Sequence, residues 1–369
     1  MREEATTPLI SLDHEELVIR RGRRSGVYTV IAVHSTKLGP AIGGCRLWRY
    51  ANSADGARDA LRLARAMTFK AAAAGLPFGG GKGVICAEPG RSLDRERRHA
   101  VLLDFADTVN VLEGAYITAE DVGTSSGDMV VIAERSPYVT GLPRFRGGSG
   151  DPSPVTALGV EAAMRACCEH RFGSSALEGR HIAIVGAGRV GSALARRLSE
   201  AGAELIIADI DEQKRALVEE LPRARWSDPN VALQEKVDLL APCALGGAIN
   251  ETNVDRLRCQ IICGSANNQL AHDGLAEDLA AHGILYAPDF IANAGGLINV
   301  GVELEGYSEE KARQAAAGIE QTMAHIISEA EDAGTTPLAA AYELARERLA
   351  QASDPAESGS PDLALSHSD

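Results

Sequence analysis

Aromatic side chains make up only 4% of the 369 residues, no apolar run approaches the roughly 18 to 20 residues of a membrane span, and no two cysteines stand as C-x-x-C. A membrane-spanning chain and a zinc ribbon are thereby excluded. The nine histidines form no H-x-x-x-H or H-E-x-x-H pair, so metal chemistry has no home and no metal is expected. Positive charge is also short. With 37 Lys+Arg against 51 Asp+Glu the formal net charge is -14, which supplies no field to capture nucleic acid or an anionic membrane. The start, MREEATTPL, lacks the apolar core and cleavage site of a signal peptide, so the chain is expected in the cytoplasm. Its seven cysteines are odd in number and have apolar or small neighbours, which fits reduced, buried thiols.

What is present is a globular composition, 45% hydrophobic and 24% charged, long enough for two domains with real cores. Abundant alanine and scarce aromatics favour a helix-rich α/β architecture. Residues 15–35 predict a hairpin, and Ser53 to Ala74 predict a helix with Ser53 as N-cap. Gly79-Gly80-Gly81-Lys82-Gly83 reads as a tight loop entering a strand at Val84-Ile85-Cys86. A helix over 92–111 and a strand at Tyr116-Ile117-Thr118 follow. The dense Gly/Pro/Ser segment from Gly141 to Pro154 is the candidate hinge. From 181 to 331 strands and helices alternate as in a parallel sheet, and a polar tail from 353 to 369 reads as disordered.

Residues 182–191, IAIVGAGRVG, place Gly186-x-Gly188-x-x-Gly191 directly between a buried-type strand and a helix. Gly186 permits the turn, Gly188 admits a pyrophosphate against the backbone, and Gly191 lets helix pack on sheet, while the helix N-terminus offers free N–H groups. The loop, Gly186, Ala187, Gly188, Arg189, Val190, Gly191 and Ser192, is therefore the expected cofactor cradle. Asp209 ends the next strand, at the place of an acid that binds ribose hydroxyls and repels a 2′-phosphate. NAD is expected rather than NADP, with Arg189 as the one group in the loop that argues the other way. FAD and S-adenosylmethionine share the fold and stay open on these residues alone.

Lys70 ends an alanine-rich helix and Lys82 follows twelve residues later among glycines, so both ammonium groups can face one cleft. Repulsion and burial both lower a lysine pKa, which suits a general base, while a charged partner can hold a carboxylate. Residue type alone leaves open two solvent-facing lysines. Thr118-Ala119-Glu120-Asp121-Val122-Gly123 sets two acids at a strand end, where one can relay protons.

The segments GPAIGGCRLWRY, MTFKAAAAGLPFGGGKGVI, YITAEDVG, GDPSPVTALGV, APCALGG, GSANNQL and YAPDFIANAGGLIN run in order from about His34 to Glu305. Together they resemble the Glu/Leu/Phe/Val amino acid dehydrogenases, the leucine and phenylalanine branch above all. The resemblance implies an N-terminal α/β substrate and oligomerisation domain (1–140 with about 335–352) and a Rossmann NAD-binding domain (141–334) that closes with it over a cleft. It implies Lys82 as the catalytic lysine, Lys70 on the substrate α-carboxylate and Asp121 assisting proton transfer. Gly43, Gly44 and Met67 would line the site, Asn268 would meet substrate, and Asn267 and Thr156 the nicotinamide. The implied reaction is reversible oxidative deamination to a 2-oxo acid and ammonia by a homo-oligomer, octamer or hexamer.

Where glutamate-specific members carry a lysine and a serine, this chain has Ile42 and Val300. Burying a carboxylate there costs several kcal/mol, so an apolar amino acid is expected. Leu297 stands where a smaller residue is usual and shortens the pocket or turns aside. A branched-chain aliphatic substrate is favoured over phenylalanine by the narrow margin that a methylene carries. Asp151 replaces an asparagine and Cys45 a threonine; neither removes a catalytic group. A non-catalytic NAD or amino-acid sensor of the same fold is the rival from another class, opposed by the intact Lys70, Lys82 and Asp121.

Overall fold

The computed structural model describes residues 13–88, 90 and 93–352; the opening segment and the tail from 353 lie outside them. Those residues divide into two units. One runs to Ala72, resumes over Pro77–Gly150 and takes up the chain again at Leu349; the other holds Ala73–Leu76 and Asp151–Arg348. The division thus falls later than the expected residue 140. The last helix, expected in the first unit, also lies mostly in the second. There Leu338 is buried in the core and the Tyr342 ring packs 5.2 Å from Phe290.

In the first unit, β1 (Glu16–Arg21), β2 (Tyr28–Ser35), β3 (Ala41–Arg49), β4 (Gly79–Ala87) and β5 (Tyr116–Glu120) form one sheet in the order β1-β2-β4-β3-β5. β1 and β2 make the expected hairpin, β2 runs antiparallel to β4, and β3 lies parallel to both β4 and β5. Helix α1 (Ser53–Ala73) lays Ala57, Ala60, Leu61 and Ala64 against Val30, Ala32, Val84 and Cys86 on one face. The opposite face packs under α2 (Arg95–Val109) and α3 (Ser126–Ala133) through Phe105, Met129 and Ile132. α1 starts one residue earlier in its capping than expected: Asn52 Oδ1, not Ser53, accepts the Asp55 N–H at 2.9 Å.

The glycines before Val84 are not a loop. They are the first half of β4, all nine residues of which are buried at the sheet centre. A Cβ on Gly80 would sit 2.0 Å from the Thr68 nitrogen of α1. One on Gly81 would meet the Tyr116 ring at 2.6 Å, and one on Gly83 the Phe105 ring at 2.4 Å. Glycine here makes room for neighbours, and turn formation is not its task.

In the second unit, β6 (His181–Val185), β7 (Glu204–Ala208), β8 (Ala224–Ser227), β9 (Val237–Pro242), β10 (Cys259–Ile262) and β11 (Leu285–Tyr286) form a wholly parallel sheet in the order β11-β10-β9-β6-β7-β8. Strand β8 escapes the sequence pattern because ARWS carries no apolar run. Helices α4 (Ser153–Phe172) and α5 (Arg189–Glu200) pack together, and α6 (Ala216–Glu220), α7 (Pro229–Ala232) and α8 (Leu275–Ala281) follow the later strands. After α9 (Asp289–Ala292) and α10 (Gly295–Glu303) come α11 (Glu309–Ala317) and α12 (Ile319–Asp332), parted at Gly318. α13 (Pro337–Gln351) is the last helix. The strand order reverses direction at β6, so the crevice at its C-terminal end is where such a sheet binds ligands.

All seven cysteines are free and six are buried. Burial pushes the Cys86 thiol up to about 11 and those of Cys168 and Cys259 up to about 12, which makes them packing groups and not nucleophiles. Among the described residues no cluster of three or more His, Cys, Asp or Glu side chains is arranged to hold a metal. No helix among them is long and apolar enough to cross a membrane.

Candidate active site

Lys82 pairs with Ala32 across β2–β4, and its even-numbered neighbours Val84 and Cys86 lie in the core beneath α1, so Lys82 projects on that same face. It is 5% exposed. A lysine there needs a partner, and Asp121 supplies it: Nζ lies 2.8 Å from Oδ2. Removing Asp121 would leave the buried ammonium of Lys82 without this partner. Asp121 follows β5 in a fixed turn, in which Thr124 Oγ1 accepts the Asp121 N–H at 2.9 Å and donates to Cys45 O at 2.7 Å. Gly123 closes that turn at φ +82°, where a Cβ would lie 2.0 Å from Leu47 O. Burial pushes the Asp121 carboxyl up, but the Lys82 and Arg46 charges outweigh it and hold the group below its ordinary value.

Lys70 sits in the last turn of α1, half-buried like Met67. That turn presses on β4 at Gly80 through Thr68, so the helix that carries Lys70 covers the sheet face on which Lys82 projects. Ile42 pairs with Gly80 in the β3–β4 register and is 1% exposed. Gly44 shares its face, and a Cβ on Gly44 would come 2.7 Å from Asp121 Cβ, so the missing side chain is what admits Asp121 beside β3. Gly43 points the other way. Its Cβ would meet Gly81 O at 1.7 Å and its carbonyl accepts the Tyr116 hydroxyl, so it serves packing more than the lining expected of it.

Two further residues complete this cluster and were not singled out in the sequence. Arg46 donates from Nε to Asp121 Oδ2 at 3.1 Å and from Nη1 to Asp59 Oδ2 at 3.0 Å. Strand alternation from Gly44 puts Arg46 on the Lys82 face, which was the available signal. Asp59 on α1 had none, because nothing local tells which strand its helix will cover.

The second unit carries the cofactor group. Gly186 takes φ +111°, and a Cβ there would strike Ala244 N at 2.6 Å; one on Gly191 would lie 1.9 Å from Gly186 O. Gly188 is different: exposed, it begins α5, and a Cβ on it would meet nothing within 4 Å. No side chain caps α5, so its first-turn N–H groups are free for an anion, and this open, donor-rich cradle fits a pyrophosphate. Arg189 is exposed beside it, Val190 lies half-buried, and Ser192 Oγ donates to Ala187 O at 2.8 Å. The Asp209 oxygens each accept one backbone N–H, from Ala187 at 2.6 Å and from Asp211 at 2.9 Å. Lone pairs are left over for ribose hydroxyls.

Asn267 and Asn268 lie exposed on one loop, Asn268 at φ 52°, with Asn267 Oδ1 accepting from Asn293 Nδ2 at 2.9 Å. Gly295 brings α10 onto α4, since a Cβ there would lie 2.4 Å from Val155 O. Thr156 is buried at this contact, its hydroxyl donating to Pro152 O at 2.9 Å. Leu297 and Val300, three apart on α10, are both buried. Asp151 accepts from Ser153 N at 3.0 Å and Ser153 Oγ at 2.6 Å, so its charge caps the start of α4.

Comparison with known proteins agrees with this arrangement. The Glu/Leu/Phe/Val dehydrogenase dimerisation domain matches residues 14–138, and the Glutamate/Leucine/Phenylalanine/Valine dehydrogenase model matches 205–356. The NAD-binding domain of D-isomer-specific 2-hydroxyacid dehydrogenases matches 160–240, which together with the glycine loop makes the second unit a nicotinamide-cofactor domain. The chain is 44% identical to a leucine dehydrogenase of Bacillus subtilis over 91% of its length and 92% of the relative's. It is 43% identical to a valine dehydrogenase of Streptomyces albus, over 92% and 93%. Among solved structures, L-tryptophan dehydrogenase from Nostoc punctiforme superposes with a TM-score of 0.81 at 38% identity, covering 92% of this chain and 97% of that one.

Proposed function

The chain is a member of the Glu/Leu/Phe/Val dehydrogenase family and an amino acid dehydrogenase, and from that premise we propose that it deaminates a branched-chain aliphatic L-amino acid, leucine, valine or isoleucine, reversibly to the 2-oxo acid and ammonia with NAD. The observation that carries this is the Lys82–Asp121 pair on one sheet face with Ile42, Gly44 and the Lys70 turn.

When bound, nicotinamide supplies the acceptor for the hydride on the substrate Cα. Lys70 holds the α-carboxylate by charge, and Lys82, once its ammonium has released a proton to solvent and is neutral, takes the proton from the water that adds to the substrate imine. Asp121, held ionised at 2.8 Å, receives and returns that proton as ammonia leaves. Asn268 would contact the substrate, and Asn267 and Thr156 the nicotinamide end of NAD. Asp209 favours NAD over NADP, because its carboxylate repels a 2′-phosphate.

Ile42 in the first unit, and Leu297 and Val300 in the second, are each buried and apolar, so none of them offers a glutamate side-chain carboxylate a partner, which supports a preference against glutamate. NAD is an intracellular metabolite, which supports a cytoplasmic place of action. A homo-oligomer, octamer or hexamer, is part of this reading, supported by the match to a dimerisation domain and by a hetero-hexameric relative, glutamate dehydrogenase of Thermus thermophilus.

NADH formation with separate leucine, valine, isoleucine, phenylalanine, tryptophan and glutamate tests it, with NADP as the cofactor control. The aliphatic set should turn over fastest. Preference for tryptophan, which the Nostoc punctiforme likeness favours, or for phenylalanine would replace the substrate and keep the chemistry. NAD binding without turnover on any of them would make the protein a sensor.

A further inference from the structure

Arg46 reaches two carboxylates at once. Its Nε donates to Asp121 Oδ2 at 3.1 Å, the same oxygen that Lys82 Nζ approaches at 2.8 Å, while its Nη1 donates to Asp59 Oδ2 at 3.0 Å. Asp59 is in turn held by the Tyr50 hydroxyl at 2.7 Å and by Arg62 Nη2 at 2.8 Å on its other oxygen. A carboxylate at a strand end has two side-chain torsions to lose, and donors arriving at one oxygen from two different strands leave it a single orientation.

We propose that Arg46 is a positioning residue of the acid–base pair: anchored on α1 by Asp59, it fixes the Asp121 carboxylate against Lys82. The inference rests on the assignment of Lys82 and Asp121 as that pair. Only arginine has the planar fork to span both acids; a lysine keeps the charge and loses one arm. The ionisable groups within electrostatic reach of Asp121 are Lys82 from β4, Arg46 from β3 and Asp59 behind Arg46 from α1, with the Cys45 thiol and the Tyr116 hydroxyl acting on it from the opposite face of the sheet. Burial first, with the Asp121 charge adding to it, pushes the Cys45 and Tyr116 groups well up, so both stay neutral. Lys82 and Arg46 therefore supply the positive field on Asp121. Removing Arg46 makes the carboxyl easier to protonate, whereas removing the Asp59 charge loosens the anchor and shifts the field the other way.

The test is kcat and KM for the amino acid across pH at saturating NAD, with the full-length enzyme and its R46Q, R46K and D59N variants. R46Q should lower kcat on the order of ten- to a hundred-fold, the scale of a small misplacement of a reacting group. KM should stay within about two-fold and the acid limb of the kcat profile should move to higher pH. R46K should restore the limb and only part of kcat, and D59N should lower kcat without raising the limb. Unchanged kcat in R46Q, or a loss with its acid limb in place, would overturn the proposal. If R46Q does not fold, D59N decides: wild-type kcat there overturns it as well. Wild-type turnover by K82A or D121N would instead remove the acid–base assignment itself, a separate failure.

Discussion

The carboxylate of Asp209 closes on the Ala187 amide at 2.6 Å, tying the end of β7 to the glycine loop that follows β6. The acid that would read the ribose thus also shapes the cradle, with its second oxygen on Asp211 N at 2.9 Å. Asp209→Ser should retain a short acceptor while removing the charge. We expect kcat/KM for NAD to fall and that for NADP to rise, so that their ratio drops by one to two orders of magnitude, about 1.4 kcal/mol for each tenfold. Initial rates with both cofactors check it.

Ile42, 1% exposed and paired with Gly80, should set side-chain specificity. Ile42→Lys places an ammonium at a buried position of the sheet. Turnover of leucine should fall at least about a hundred-fold, from the several kcal/mol that burying a charge costs. Glutamate should become a measurable substrate, and the same substrate panel reports both changes.

Gly80→Ala tests the close packing of α1 on β4. The added carbon would lie 2.0 Å from a backbone nitrogen, which no rotamer relieves. A loss of about 3 kcal/mol or more is expected, the upper end of overpacking effects. It should appear as a lower urea midpoint, and cofactor binding by the second unit should outlast activity.

Acid should destabilise the first unit through several aspartates. Burial pushes the carboxyls of Asp59, Asp104, Asp121 and Asp128 up, yet hydrogen bonds and nearby cations outweigh it and hold all four below the ordinary value. Such groups bind protons more weakly folded than unfolded, so their contribution is complete above the unfolded value and lost as pH falls through the folded ones. Melting temperature should therefore be flat from about pH 5 upward on their account and decline below about pH 4. Thermal melts over that range check it, and D128N should flatten part of the decline.

Asp151, the acid in place of an asparagine, should prove benign. An amide oxygen accepts the same two bonds from Ser153, so Asp151→Asn should leave kcat and the KM for NAD within about two-fold. Asp151→Ala, which lacks any acceptor, should cost about 1 kcal/mol in stability by denaturant titration.

The chain's own order of residues determined the local chemistry. A strand, three glycines at fixed spacing, a helix and an acid dictate a dinucleotide turn wherever they occur, because backbone sterics and helix N–H groups act over a few residues. The lysines and the TAEDVG turn were legible for the same reason. Other features needed the assembled sheet. That Gly79 to Gly83 form a central strand followed from Thr68, Tyr116 and Phe105 crowding them, all contributed from distant parts of the chain. The seating of the last helix came from Leu338 and Tyr342 finding the second core. The Arg46 bridge between Asp59 and Asp121 arose only once β3, β5 and α1 were laid side by side, since partners far apart in sequence are chosen by packing and not by spacing.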